Sequence, residues 1–302
     1  MPCRVDRTNL CRVVIELEEA QWRVTAASYT ARVDSLLADH IHRRDRGIKH
    51  PIDDFLFEYY HLKPSHLRVW HPGAGVLLRG GTERTGWRFY RPALAGAQVD
   101  LDEFRARRSG VIRSAHAVLR ATIDRPMQLS CFGMHEWAMA YRTAPEQMRH
   151  TQLPLRLGHA GTDTVVEAHE LRCTHFDAYR FFTDDATPRN NAVLHRSSQA
   201  DFEQPGCLHA GMDLYRWAYS LSPVMPSELL LRCFELARDI RVLDMRASPY
   251  DVTSLGHAPV AVETSEGKAE YVRQQREFAG RAQILRASLL EVCRAAMPAA
   301  QK

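Results

Sequence analysis

Lysine is nearly absent from this 302-residue chain: Lys49, Lys63, Lys268 and Lys302 are the only lysines among 40 basic residues. Arginine therefore carries almost all the positive charge, and its planar fork suits phosphate and carboxylate recognition. The formal net charge of +4 is mild, so composition permits nucleic-acid binding without requiring it. No apolar run approaches the roughly 20 residues of a membrane span, and Met1 to Leu10 lacks the apolar core of a secretory signal. The seven cysteines include no CxxC pair, and an odd, scattered set argues against both a disulfide framework and a zinc knuckle. A cytoplasmic protein with reduced thiols is expected. Also missing are GxxxxGKS/T, GxSxG and GxGxxG, which removes the usual support for P-loop, α/β-hydrolase and Rossmann readings. Internal repeats and low-complexity segments are absent too.

What is present is an ordinary globular composition, 45% hydrophobic and 25% charged, enough for one large core. Helical periodicity dominates. Apolar residues recur at helical spacing from Glu18 to about Arg46, with Gly47 as the stop, and again from Leu101 to about Ile123. Shorter helices are predicted at Pro51–Tyr60, Met134–Tyr141 and Asp163–His169, and an extended piece at Leu153–Leu157. The glycine-rich stretch 71–99 reads as a loop with a possible hairpin. Residues 183–205 read as a polar ordered loop or lid. Three helices close the chain: His209–Leu221, Pro226 to about Met245, and Ser265 to about Ala296. The expected fold is mainly α: one compact multi-helix domain over residues 18–296 with a few short strands. Residues 1–17 form a flexible lead-in and 297–302 a tail.

Histidines and carboxylates concentrate in four aromatic-rich words: His50-Pro51-Ile52-Asp53-Asp54-Phe55, Met134-His135-Glu136-Trp137, Cys173-Thr174-His175-Phe176-Asp177, and the run from Leu208-His209 through Asp213 to Trp217. Groups that ionise near neutrality, set among large apolar rings, are what a partly desolvated chemical site requires. His209 and Asp213 share a helix face at i, i+4, as do Glu235 and Asp239 on the next helix. Facing each other, these two pairs make a candidate metal cradle. The bland alternative puts Glu235 and Asp239 on a solvated face, paired with nearby arginines. His175 and Asp177 are two apart, so on a strand they would share a face as base and orienter or as metal ligands. His135-Glu136 begins like a zincin motif, but Met139 stands where the second histidine belongs, which ends that reading. At the start of the Pro51 helix, Asp53 or Asp54 could serve the free amides of the first turn. Arg142, Arg180 and Arg246 follow motif-rich segments and are candidates either for an anionic substrate or for structural ion pairs.

Longer words carry a family resemblance. They are Lys49-His50-Pro51-Ile52-Asp53-Asp54-Phe55-Leu56-Phe57, Cys131-Phe132-Gly133-Met134-His135-Glu136-Trp137-Ala138-Met139, Arg172-Cys173-Thr174-His175-Phe176-Asp177, Glu203-Gln204-Pro205-Gly206-Cys207-Leu208-His209-Ala210, and Leu243-Asp244-Met245-Arg246-Ala247-Ser248-Pro249-Tyr250-Asp251. With these the chain resembles, from about residue 20 to 294, the actinobacterial proteins that carry the name 3-methyladenine DNA glycosylase. That resemblance implies release of an alkylated purine from damaged DNA with no cofactor. The chemistry calls for a flipped base between aromatic rings and a carboxylate that orients water or stabilises positive charge. Trp137, Tyr141, Tyr215 and Trp217 are the stacking candidates and Asp177 or Asp213 the carboxylate. His175, His209 and Glu136 are further catalytic candidates; His135, Arg180 and Arg246 would contact substrate. The chain carries neither a helix-hairpin-helix signature nor HEAT-like repeats, so these roles come from chemistry rather than from family motifs.

A competing reading takes the same residues as a metal-dependent oxidoreductase, a non-haem iron oxygenase in a helical fold acting on a small molecule. Its candidate ligands for iron or another divalent metal are His175, His209, Asp213, Glu235 and Asp239. A third reading, a helical scaffold, explains the ionisable residues least well. A basic surface open to a duplex would favour the glycosylase. A closed pocket with three or more converging ligands would favour the metalloenzyme.

Overall fold

The computed structural model describes residues 15–298. Eleven α-helices and one four-stranded sheet build it among these residues. In chain order the first elements are β1 (Ile15–Leu17), α1 (Glu19–Asp45), α2 (Phe55–Tyr59), α3 (Pro64–Leu67), β2 (Val76–Arg79), β3 (Tyr90–Ala93) and β4 (Gly96–Val99). Then follow α4 (Leu101–Ile123), α5 (Met134–Ala140), α6 (Gly158–Glu167), α7 (Phe176–Tyr179), α8 (Gln199–Phe202), α9 (Leu208–Ser220), α10 (Ser227–Arg246) and α11 (Ser265–Ala296).

The mainly α expectation holds, and the long helices form where periodicity predicts them. In α1 the buried positions Trp22, Tyr29, Val33, Leu37 and His40 fall three, four or seven residues apart, which keeps them on one stripe. At the start of α4 the Asp100 carboxylate accepts the Glu103 amide at 2.9 Å. Thr264 Oγ1 does the same for Gly267 at the start of α11, at 3.0 Å. Each satisfies one of the amides that a helix start leaves without a partner. No helix of the described residues is long and apolar enough to cross a membrane.

Several local expectations need correction. Ile15–Leu17 is not a loose lead-in; it pairs parallel with β2 at the edge of the sheet. Residues 1–14 of that lead-in, and 299–302 of the tail, lie outside the described residues. The hairpin expected in 71–99 is β3–β4, and β4 also pairs antiparallel with β2, giving the order β1-β2-β4-β3. Pro51–Asp54 makes turns rather than a first helical turn, and only Phe55–Tyr59 is helical. Asp54 there accepts the His50 amide at 2.8 Å and contacts His40 Nδ1 at 2.9 Å, so it ties this turn to α1. Leu153–Leu157 is irregular apart from one bridge from Leu155 to Tyr250. The third short helix begins at Gly158, five residues earlier than predicted.

The core sits where α9, α10 and α11 meet, with α4 across α11. Gly211 makes the α9–α10 approach possible: a Cβ at that position would lie 2.8 Å from Ile240 Cδ1. The close approach brings the polar residues of α9 beside those at the C-terminal half of α10. Trp137 of α5 is fully buried and donates its indole N–H to the Ala247 carbonyl at 2.8 Å, locking α5 onto the end of α10. Burial of such a ring contributes on the order of 2–3 kcal/mol, and the hydrogen bond removes the penalty of hiding its polar atom.

Candidate metal centre

Six ionisable residues from five places in the chain meet inside the core as two adjoining triads. The first is His135, His209 and Asp244; the second is His175, Glu203 and Asp213. All six are buried. Within each triad one ligand atom per residue lies within 4.8 Å of the others. Opposite ligands of a cation with bonds of about 2.1 Å stand about 4.2 Å apart, so only slight closure separates this spread from coordination.

Local structure explains the placement. Gly133, in the left-handed region at φ +69°, turns the chain into α5 and points His135 inward; a Cβ there would press on Tyr271 at 3.3 Å. On α9, His209, Asp213 and Arg216 follow one another at helical spacing along the inward stripe. Arg241 and Asp244 do the same on α10. His175 immediately precedes α7 and Glu203 immediately follows α8. The His135 and His209 rings meet edge to face at 4.3 Å between centroids, and the His209 and His175 rings stack at 5.4 Å, so His209 joins the two triads.

The contacts inside the triads are close without being hydrogen bonds. His135 Nε2 lies 2.8 Å from Asp244 Oδ1, and His175 Nδ1 lies 2.7 Å from Glu203 Oε1. Yet His135 Nε2, Asp244 Oδ1 and His175 Nδ1 have no partner in hydrogen-bond alignment. The His209 ring makes no hydrogen bond among the described residues. Buried donors and acceptors seldom go unmet, because each costs about 1–3 kcal/mol. Each triad carboxylate, by contrast, has a well-made contact to a residue outside its own triad. Asp213 accepts from Tyr60 Oη at 2.8 Å and from Arg216 Nη2 at 2.6 Å. Asp244 accepts from Arg241 Nη1 at 2.5 Å, and Glu203 from Gln199 Nε2 at 3.0 Å. Outer partners of this kind fix the orientation of metal-binding groups.

Charge points the same way. Around the first triad, Asp244 and Glu136 share one ion-paired guanidinium, that of Arg241. Around the second, Asp213 is ion-paired with Arg216, which also reaches toward Asp177 at 3.5 Å, and the buried Arg286 guanidinium acts on Glu203. Around the first triad the two carboxylates outnumber their guanidinium by one. A bound cation or a protonated imidazole restores the balance. Burial, with the His135 ring next, pushes the pKa of His209 well below the ordinary range and keeps it neutral. Burial alone would lower His175 and raise Glu203; Asp213 and Glu203 around the ring reverse the first, and the His175 contact reverses the second. Burial raises Asp213 despite Arg216. Asp244 is held low against its burial by His135 and Arg241.

A cavity of about 20 Å³ adjoins the three imidazoles and is also walled by Cys131, Cys173 and Cys207. It holds about one water molecule or ion. Burial raises the pKa of all three thiols, so they remain protonated at neutral pH. On the other side of the first triad lies an open cleft of about 640 Å³, with Glu136 and Arg241 in its wall.

The sequence candidates divide clearly. His135, His175, His209 and Asp213 are triad members, and Glu136 is one step away through Arg241. His209 and Asp213 share a face as predicted but serve different triads. Glu235 and Asp239 do not join them: both are half-buried on the outer side of the helix, Glu235 at 4.0 Å from Arg32 and Asp239 paired with Arg281 at 2.7 Å. One helix cannot turn Glu235 and Asp239 inward while Arg241 and Asp244 fill the inward face. His175 and Asp177 are not on a strand; the helical start between them sends Asp177 instead to Arg180, Arg196 and Arg216. Trp137, Tyr141 and Tyr215 are buried inside the core, so none offers an open ring face; Trp217 is half-buried beside Arg216. Arg180 binds Asp177, Arg246 donates to the Ala258 carbonyl at 2.8 Å, and Arg142 pairs with Glu167 and Asp185. These three arginines have structural partners.

Glu203 and Asp244 are the triad members absent from the sequence-based candidates. Both stand inside words quoted above, and Gln199 four residues before Glu203 was the available signal, an i, i+4 pair that can orient a carboxylate. The chain matches no protein-family model, no curated protein and no solved structure.

Proposed function

We propose that this protein is a metal-dependent enzyme of oxidoreductase type acting on a small molecule, with divalent iron held by the two triads. The observation that carries this reading is the convergence of three imidazoles and three carboxylates, buried and touching without hydrogen-bond alignment. Two histidines and one carboxylate are the donor set associated with non-haem iron, and the second, carboxylate-rich triad also suits iron or manganese. Iron bound there supplies Lewis acidity and electron-transfer chemistry that side chains lack. The chain's own residues do the rest. Arg216, Tyr60 and Gln199 hold Asp213 and Glu203 in place, and Arg241 holds Asp244. The core excludes bulk water, and the single-molecule cavity beside the imidazoles limits what can approach from that side.

The damaged-DNA reading finds less support in the geometry. Three of the four stacking candidates are sealed in the core, and Asp177 and Asp213 are both engaged by arginine. Two assays separate the readings. On Asp213→Asn, the metal reading expects loss of bound metal, and on the unaltered protein it expects no release of 3-methyladenine from alkylated DNA. Base release by the unaltered protein that Asp213→Asn abolishes, with metal content unchanged, would overturn it.

A further inference from the structure

The open cleft beside the first triad carries an unfilled recognition element. Arg241 is buried, at 1% exposure, and forms part of the cleft wall. Its Nη1 serves Glu136 at 2.7 Å and Asp244 at 2.5 Å. The rest of the guanidinium is almost idle: Nε, itself shut off from solvent, has no partner, and Nη2 has only a 3.4 Å contact to His150 Nε2, a residue of the same cleft wall. A guanidinium N–H without a strong partner takes a carboxylate oxygen in a charge-assisted hydrogen bond.

The surroundings favour an acid with an apolar body. Phe55 lies against Arg241, 3.9 Å from ring centroid to guanidinium, and stacks on Tyr59 at 5.0 Å. Arg149 sits on the cleft's rim over the Phe181 ring at 4.0 Å and has no acidic partner among the described residues. The acidic residues in the wall are already engaged: Glu58 by Lys49, Asp54 by His40, Glu136 by Arg241. Their presence still disfavours a doubly charged phosphate more than a singly charged carboxylate.

We infer that this cleft binds a small carboxylic acid, its carboxylate on Nη2 of Arg241 in place of the long His150 contact, its apolar body along Phe55 and Tyr59, and Arg149 drawing it in. This deepens the metal-dependent reading and rests on it only in taking the triad as the reacting end. Arg241 would then touch the substrate through Nη2 and Asp244 through Nη1, so a single guanidinium separates the bound acid from the first triad.

The test is calorimetric titration of the full chain, as purified and after chelation, with benzoate, phenyl phosphate and benzylamine. Benzoate is expected to bind in both preparations and benzylamine in neither. Arg149→Glu should weaken benzoate roughly tenfold or more, the loss of a charge-assisted contact. Arg241→Lys should weaken it further, its folding checked by an unfolding curve; should it not fold, Arg149→Glu decides. Binding of benzylamine as strong as that of benzoate, a preference for phenyl phosphate, or benzoate affinity unmoved by Arg149→Glu would each overturn the inference. Benzoate binding by a chain that takes up no metal keeps this inference and removes the metal reading. Metal uptake without benzoate binding does the reverse.

Discussion

Replacing Arg241 by methionine isolates the electrostatic logic of the site. The guanidinium is buried between Glu136 and Asp244, themselves almost inaccessible. Methionine fills most of the volume and keeps an apolar contact with Phe55, so packing loss is small. What remains is two carboxylates facing each other without their cation. Removing one partner of a buried ion pair costs about 3–5 kcal/mol, and we expect that loss in metal-free protein at pH 7 by urea unfolding. The pH dependence gives the mechanism. In the unaltered protein Asp244 titrates below its unfolded value; its contribution is present above the unfolded pKa of about 4 and fades as pH falls toward the folded value. In the variant Asp244 keeps His135 but loses the guanidinium, so it takes up a proton more readily than in the unaltered protein. The stability gap between the two proteins should therefore narrow as pH falls. A deficit below about 1 kcal/mol, or one that widens on acidification, would refute the argument that Arg241 neutralises these carboxylates.

Other consequences can be checked alongside it. The double replacement Glu235→Ala and Asp239→Ala removes only partly exposed, solvent-screened pairs, so stability should change by about 1 kcal/mol or less and metal content should not change; a loss of metal would restore these residues to the site. His71 is brought down to about 3 by burial, then by Arg84. Its folded pKa lies below the unfolded value of about 6.5, so the unfolded state takes up the proton first and stability is lost as pH falls through that interval. His71→Gln should flatten this acid limb in pH-dependent melting; an unchanged slope would mean that His71 does not titrate as its surroundings imply. Gly211→Val should destabilise by about 1–3 kcal/mol through overpacking of α9 against Ile240, read as a lower urea midpoint.

The residues that reveal themselves in the sequence are those whose neighbours are local. The stripes of α1, α4 and α11 repeat a helical period over many turns, and the pairing of His209 with Asp213 on one face needs only that period. Where structure departs from expectation, a distant contact has decided. Ile15–Leu17 becomes a strand because β2, some sixty residues on, offers an edge. His175 and Asp177 part company because a helix begins between them, with the arginines awaiting Asp177 coming from three separate segments. The triads join position 135 to 244, and 175 to 203 and 213. Nothing in local spacing encodes those distances. Glu203 illustrates the limit best: its side chain is oriented by Gln199 within a polar stretch that reads as a loop, and only the packed structure brings it to His175.

Metal quantified per chain, in protein purified without chelator, tests the central claim most directly. The account predicts iron near stoichiometry with the chain, lost on His209→Ala, because His209 belongs to the first triad and its ring packs on His175 of the second. Protein that stays folded and takes up no iron, manganese or zinc, even when each is supplied, would contradict it, and the triads would then be a buried polar network balanced by protons alone.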